Sequence, residues 1–158
     1  MRKAELYCNL AKYYKLVGKT DLAVWLLNIG AAYADKAAAI RMEHYILIEL
    51  ADIYECNGNP KSALEALTKI TGKLSKTGDS LLVGQYLAEM AERHLDNNQL
   101  EPCLFLLTQC YEILSPIFPS NELVRCCDLL YRYYMRTKDP LKAVFYLSEL
   151  KRIKRKLK

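Results

Sequence analysis

The chain repeats itself at a step of 40 residues, and this internal repetition constrains its fold more than any other feature. A large apolar, a small, an aromatic and a turn position each recur in the same register. Because side chains of such different types agree, the repetition does not simply reflect the abundance of leucine. The columns are Leu10, Leu50, Met90 and Leu130; Ala11, Ala51, Ala91 and Tyr131; Tyr14, Tyr54, His94 and Tyr134; Gly18, Gly58, Asn98 and Lys138; Ala23, Ala63, Cys103 and Ala143; and Leu27, Leu67, Leu107 and Leu147.

Each repeat is predicted to form two amphipathic helices, because its apolar residues recur at spacings of three and four. Gly18 and Gly58 can adopt a positive φ angle and so end the first helix of their repeats. Asn59-Pro60 and Asp139-Pro140 are typical of an N-cap followed by proline at the first helical position. The pattern therefore predicts helix-turn-helix units.

The joins between repeats carry signals of uneven strength. Ser115-Pro116 and Pro119–Asn121 predict a break before the fourth repeat, and Thr77–Asp79 predicts one before the third. The join from Asp35 to Glu43, DKAAAIRME, consists of good helix formers. We therefore expect the second helix of the first repeat to run long before the chain turns.

Neither helix of such a unit can bury its apolar face alone, so neighbouring units must stack. The expected fold is all-α, a right-handed α-solenoid of four repeats in a single domain, 1–158, with repeats at about 4–40, 44–80, 84–120 and 124–158. The alanine column, including Ala51, allows paired helices to approach closely. Tyr131 replaces a small residue in that column, so the last repeat is expected to pack differently.

The composition is that of a globular protein, with 52% hydrophobic and 26% charged residues. No apolar run approaches the roughly 18 residues of a membrane span, and the first residues lack the apolar core of a signal peptide. The six cysteines occupy apolar positions of helical patterns and form no CxxC pair, so we expect them to be reduced and mostly buried. An intracellular protein, cytoplasmic or nuclear, is expected.

One pattern within the repeats points to a known family. The pattern is a large apolar residue, then at intervals Leu-Ala, Tyr, Gly, Ala and Leu. It runs from Tyr7 to Leu27 and again from Leu47 to Leu67. The pattern resembles the tetratricopeptide repeat (TPR) family over nearly the whole chain, although His94, Cys103 and Tyr131 depart from it. A step of 40 exceeds the usual TPR length of about 34 and resembles the extended-helix TPRs of Pins-type and kinesin-light-chain-type adaptors. HEAT or armadillo arrays, with a similar period, are the alternative.

The resemblance implies a non-catalytic scaffold or adaptor, alone or as a subunit or fragment of a larger complex. In TPR arrays the first helices of successive repeats line a concave groove that receives an extended peptide or a partner helix. The positions of this sequence that match are Lys12, Lys15, Tyr45, Ile48, Asp52, Glu55, Gln85, Glu92, Asp96, Arg125, Arg132 and Arg136.

The charges at these positions are basic at both ends and acidic in the middle, and we expect them to be free to meet complementary charges of a partner. The carboxylate site of chaperone-tail-binding TPRs is not expected, because Gln85 and Glu89 stand where the third repeat should offer basic groups. An ordinary solvated helix face is the alternative for each residue.

Little in the sequence points to catalysis or metal binding. His44 falls near a helix start and His94 in the aromatic column, and no metalloprotease, phosphate-loop or nucleophile-elbow motif is present. Cys126 and Cys127 are adjacent and so point to different faces of a helix. We expect neither an enzyme nor a cofactor or metal.

The last eight residues, KRIKRKLK, concentrate the basic charge, and the remaining body is almost neutral. One interpretation is a solubilising outer face on the last helix. The alternative is a functional site for nuclear import, nucleic-acid phosphates or an anionic membrane surface. This basic C-terminal patch comprises Lys151, Arg152, Lys154, Arg155, Lys156 and Lys158.

Overall fold

A computed structural model describes residues 2–71 and 80–158, and every regular element in these residues is an α-helix. They belong to two compact units, Met1–Thr77 and Gly78–Lys158. The all-α prediction is confirmed, whereas the predicted break at Thr77–Asp79 lies outside the described residues. The helices are α1 Arg2–Leu16, α2 Thr20–Lys36, α3 Ile40–Cys56, α4 Pro60–Thr71, α5 Ser80–Asp96, α6 Leu100–Leu114, α7 Asn121–Arg136 and α8 Pro140–Leu157.

Each unit consists of two helix-turn-helix pairs. In the first unit α1 packs against α2, α3 against α4, and α2 also against α3. In the second unit α5 packs against α6, α7 against α8, and both α5 and α6 pack against α7. Helices α1, α3, α5 and α7 are therefore the first helices of the four repeats, and the others are the second helices.

Five turns in the described residues share one hydrogen-bonding pattern. In the first, Gly18 donates its N–H to the carbonyl of Lys15 at 3.1 Å, and Lys19 donates to Tyr14 at 2.9 Å. These two bonds define a Schellman motif, in which one residue takes the left-handed conformation and the last helical carbonyls are satisfied. The left-handed residues are Gly18, Ala38, Gly58, Asn98 and Lys138.

The expectation that the second helix of the first repeat runs long into the join from Asp35 to Glu43 is wrong. Helix α2 ends at Lys36 and α3 begins at Ile40, with Ala38 between them at φ 50°. Helix propensities favour continuation by only a few tenths of a kcal/mol per residue. Reversing the chain instead packs α3 onto α2 and buries side chains such as Ile46 and Leu47, so tertiary burial outweighs propensity.

Replacing Ala38 by glycine should raise the free energy of unfolding by about 1 kcal/mol, because glycine avoids the cost of a Cβ atom in the left-handed region. Chemical denaturation measures the change. The control is Ala32→Gly at an exposed position inside α2, which should destabilise by about 0.5–1 kcal/mol. Two changes of the same sign would contradict the assigned backbone conformation.

Side-chain caps begin three of the described helices, and two of these caps were predicted from the sequence. Asn59 accepts a hydrogen bond from the Ser62 N–H at 3.3 Å, and Asp139 accepts one from Lys142 at 3.2 Å. The predicted proline positions at the starts of α4 and α8 are confirmed. Before α7 the chain breaks as expected, and Ser120 caps that helix by accepting from the Leu123 N–H at 3.2 Å.

Small residues and most leucines of the repeat columns form the core. Ala11, Ala51 and Ala91 are buried, whereas Tyr131 in the same column is half-buried. All six cysteines are free, and only Cys56 is exposed. Burial raises the pKa of the Cys103 thiol to about 11, which keeps it protonated and unreactive at neutral pH.

The later repeats start slightly before their predicted boundaries, since their first helices begin at Ile40, Ser80 and Asn121. That the whole chain forms a single domain stays a prediction.

Candidate interaction faces on the first helices

The α1/α3 face brings together most of the residues predicted in the first two repeats. Lys15 forms an ion pair with Asp52, with Nζ and Oδ2 2.6 Å apart. Lys12 donates a hydrogen bond to the Tyr45 hydroxyl and lies 4.5 Å from the centre of that ring. Both lysines also lie 3.8 Å from Glu49 carboxylate oxygens. We define the α1/α3 face by these residues together with Ile48 and Glu55, which are half-buried.

The electrostatics of this face keep its lysines charged. The hydrogen bond with Tyr45 raises the pKa of Lys12. Partial burial alone would lower the pKa of Lys15, but the hydrogen bond and charge of Asp52 outweigh it, so that pKa is also raised. Both side chains therefore remain cations over the physiological pH range.

Sequence reasoning missed Glu49, which contacts both lysines. It lies three residues before Asp52 on α3, a spacing that places two carboxylates on one helix face. This spacing from Asp52 could have indicated the role of Glu49.

The α5/α7 face carries a second network of charges, in the second unit. Arg125 pairs with Glu92 at 2.8 Å and with Glu89 at 3.6 Å. Arg132 pairs with Glu92 at 2.9 Å and with Asp96 at 3.7 Å. Two further predicted residues belong to this face: Arg136 donates to the carbonyl of Leu95, and Gln85 donates to Glu89 at 3.4 Å.

Glu92 lies at the centre of this network. Hydrogen bonds from Arg125 and Arg132 lower the pKa of its carboxyl group, and the bond with Glu92 correspondingly raises the pKa of Arg125. Because the carboxylate is held between two guanidinium groups, it ties α5 to α7 at neutral pH.

Glu92 should make the stability of the protein depend on pH. A carboxyl group whose pKa is lower in the folded state stabilises the fold above its unfolded-state pKa, and this stabilisation is lost as the pH falls through the folded-state value. Glu92→Gln should therefore lower the unfolding free energy at pH 7 and change it less at pH 3. Denaturation at both values tests this, with Glu112→Gln at an exposed α6 position as the control. Equal losses at both values would contradict the role of its charge.

A cleft of about 210 Å³ lies on the α5/α7 face. It is lined by Gln85 and Ala88 from α5 and by Asn121, Glu122 and Arg125 from α7. Gln85 and Arg125 were predicted, whereas Asn121 and Glu122 were missed because the sequence does not show where α7 begins relative to α5. A larger cleft, about 340 Å³, lies between α2, α3 and α4 and includes none of the predicted site residues.

The expectation that these charges are free is wrong for Lys12, Lys15, Asp52, Glu92 and Arg132. Each is paired within its own unit. The physical reason is that α1 packs beside α3 and α5 beside α7, so that charges on one first helix meet opposite charges on its neighbour, as Lys15 meets Asp52 and Arg132 meets Glu92. The column Lys12, Asp52, Glu92 and Arg132 places one basic and one acidic residue in each unit. The order of charges along all four repeats stays a prediction.

The two histidines, His44 and His94, lie in the interior of the protein. Both are buried, and His94 Nδ1 lies 2.6 Å from the Gln99 side-chain oxygen. Within residues 2–71 and 80–158 no group of three or more His, Cys, Asp or Glu side chains could hold a metal ion. The faces of the first helices offer hydrogen bonds, charges and shape, which is the chemistry of binding.

Helix α8 carries the basic C-terminal patch, whose six basic side chains are all exposed. Arg152 pairs with Glu149 at 2.7 Å and lies over the Phe118 ring. Between the basic residues, Ile153 is fully buried. Among the described helices none is both long enough and apolar enough to cross a membrane.

Comparison with known proteins identifies the fold. No protein-family model and no curated protein sequence matches the chain. Among solved structures, a Podosopora anserina protein of kinesin light chain type with nearly identical TPR-like repeats is similar at 24% identity and a TM-score of 0.62, over 99% of this chain and 77% of that one. BtubC from P. vanneervenii is similar at 14% identity and a TM-score of 0.66, over 98% of this chain and 64% of BtubC. The chain thus spans less than two thirds of BtubC.

Proposed function

Because this chain has the TPR-like repeat fold, a fold of protein-interaction scaffolds, we propose that it is a non-catalytic scaffold or adaptor that binds a segment of a partner protein. The segment is an extended peptide or a helix, and it binds to the first helices of the repeats. We further propose that the protein acts inside the cell, in the cytoplasm or nucleus, and takes part in a larger complex. Its free, mostly buried cysteines are consistent with a reducing compartment.

The cleft on the α5/α7 face is the observation that carries this proposal. Gln85 and Asn121 present side-chain amides at its rim, and each amide can both donate and accept hydrogen bonds. The backbone of an extended peptide offers the same alternation of donors and acceptors. Ala88 contributes only a small side chain to the lining of the cleft, which leaves room for a side chain of the bound segment.

The paired charges support binding in a different way from free charges. Arg125 is already held by two carboxylates, so its side chain loses little conformational freedom when a partner binds. On the α1/α3 face, the half-buried Tyr45 and Ile48 add apolar contact area beside the ion pairs. We therefore expect affinity to come from hydrogen bonds and apolar contacts, and specificity from the charges.

Selection of peptides from a random display library on the purified protein tests the proposal. Peptides enriched on the unaltered chain should bind the Gln85→Ala/Asn121→Ala double variant about 30-fold more weakly, because two hydrogen bonds of roughly 1 kcal/mol each are lost. Fluorescence anisotropy measures the dissociation constants.

The matched control for this test is Gln109→Ala on the second helix α6, which should leave peptide binding unchanged. Circular dichroism checks that all variants remain helical. If the library yields no binding peptide, or if the control weakens binding as much as the double variant, the α5/α7 face is not the binding site.

The basic C-terminal patch supports a second candidate function, binding of nucleic acid or an anionic membrane surface. Of its residues, only Arg152 forms an ion pair within the described structure, so the other charges are available to phosphates. Removing residues 151–158 is a poor test because it also removes the buried Ile153. Replacing Lys151, Lys154, Arg155 and Lys158 by glutamine removes only exposed charges. A loss of binding to duplex DNA or anionic vesicles would support this candidate.

A further inference from the structure

Helix α1 presents an apolar stripe to solvent. Leu6 and Tyr13 are each 58% exposed, Val17 is 49% exposed and Leu10 is 38% exposed. Their spacings of four, three and four place them on one face of the helix, with Val17 directly after its last residue. This α1 stripe, Leu6, Leu10, Tyr13 and Val17, is distinct from the α1/α3 face, where Lys12 and Lys15 lie.

The same repeat positions are covered in the next repeat of the unit. Ile46, Leu50 and Ile53 of α3 stand 40 residues after Leu6, Leu10 and Tyr13, and they are at most 3% exposed. Helix α2 packs against α3, and it approaches so closely that a Cβ atom on Gly30 would lie 3.2 Å from Ile46 Cδ1.

The second unit shows the same arrangement independently. The equivalent residues of α7, Cys126, Leu130 and Tyr133, are at most 7% exposed, and α6 packs against this helix. In both units, therefore, this position is buried on a first helix that packs against the second helix of the preceding repeat. The α1 stripe has the side chains of such a packing surface, which indicates that a helix is the shape it fits.

The charges beside the stripe determine which kind of partner helix it can bind. Arg2 and Lys3 are exposed at its N-terminal end, whereas Glu5 is half-buried and lies about a quarter turn or more away on the helical wheel. A second copy of this chain fits poorly. The exposed apolar residues of α8, Leu141 and Phe145, share that helix with the basic C-terminal patch, so docking α8 onto α1 would bring like charges together.

We propose that the α1 stripe is a docking surface for an acidic amphipathic helix of another protein, which packs on α1 as α2 packs on α3. The apolar face of that helix covers Leu6, Leu10 and Tyr13, and its carboxylates pair with Arg2 and Lys3. This site lies on different side chains from the α1/α3 and α5/α7 faces, so it stands or fails independently of the proposed function.

Two synthetic helical peptides test the proposal. Both carry leucine at helical spacings of three and four; one has glutamate on its flanks and the other lysine. The glutamate peptide should bind the full chain at low salt at least tenfold more tightly than the lysine peptide. Leu6→Ser/Leu10→Ser should weaken its binding by about tenfold or more, because buried apolar contacts are lost. Fluorescence anisotropy gives both dissociation constants.

Two control variants separate the outcomes. Leu16→Ser alters a leucine that is 86% exposed but lies off the stripe, and it should leave binding unchanged. Arg2→Glu/Lys3→Glu should reverse the preference in favour of the lysine peptide. Equal binding of both peptides, or an equal loss in Leu16→Ser, overturns the proposal. Sedimentation showing a dimer that Leu6→Ser/Leu10→Ser dissociates would also overturn it, because the occupant would then be a second copy.

Discussion

Replacing Leu107 by alanine should lower the free energy of unfolding by about 2–5 kcal/mol, the largest effect that we expect from a single substitution. Leu107 is completely buried in α6, where α6 packs against both α5 and α7. Truncation removes apolar contacts and leaves a cavity that the surrounding helices cannot fully close. Chemical denaturation followed by circular dichroism measures the loss.

The matched control for Leu107 is the next leucine of the same repeat column. Leu147 in α8 is only half-buried, so Leu147→Ala should cost roughly 1 kcal/mol. If both substitutions cost the same, the repeat positions would not differ in packing as the structure shows, and the assignment of the core to α5, α6 and α7 would be wrong.

Replacing Ala51 by leucine should lower the unfolding free energy by about 1–3 kcal/mol for the opposite reason. Ala51 is fully buried in α3, which packs against α2 and α4. A larger side chain must force the helices apart or adopt an unfavourable rotamer. Denaturation of the purified variant at pH 7 measures this cost.

An exposed alanine provides the control for overpacking. Ala32→Leu in α2 makes the same substitution at an exposed position. It should alter the unfolding free energy by no more than about 0.5 kcal/mol. A neutral Ala51→Leu would mean that the alanine column does not set the distance between paired helices.

Most of the fold could be predicted because local and periodic signals agree. Gly18, Gly58, Asn59-Pro60 and Asp139-Pro140 mark helix ends by chemistry that acts within a few residues of the backbone. The resemblance to TPR proteins is confirmed at the level of the fold. The turn at Ala38 was missed because alanine carries no local signal for a left-handed conformation, and only packing of α3 on α2 requires it.

The candidate sites could be predicted only in part. The repeat register placed Lys12, Lys15 and Arg132 on the first helices correctly. It did not reveal that these residues pair with carboxylates of the neighbouring first helix, because pairing depends on the distance between two helices. The cleft beside Gln85 depends in the same way on where α7 begins relative to α5.

The sequence by itself determined the number of helices in each repeat, most of their ends and the small residues of the core, because periodicity, capping and turn preferences are local properties of the chain. Tertiary structure alone decided which charges neutralise one another and which apolar side chains stay exposed. Leu10 and Leu50 illustrate the difference, since they occupy the same repeat position with exposures of 38% and 3%. The chain determines that both residues are leucine, but burial requires neighbouring helices to lie against the side chain, and the packing of the helices covers Leu50 while it leaves Leu10 partly exposed.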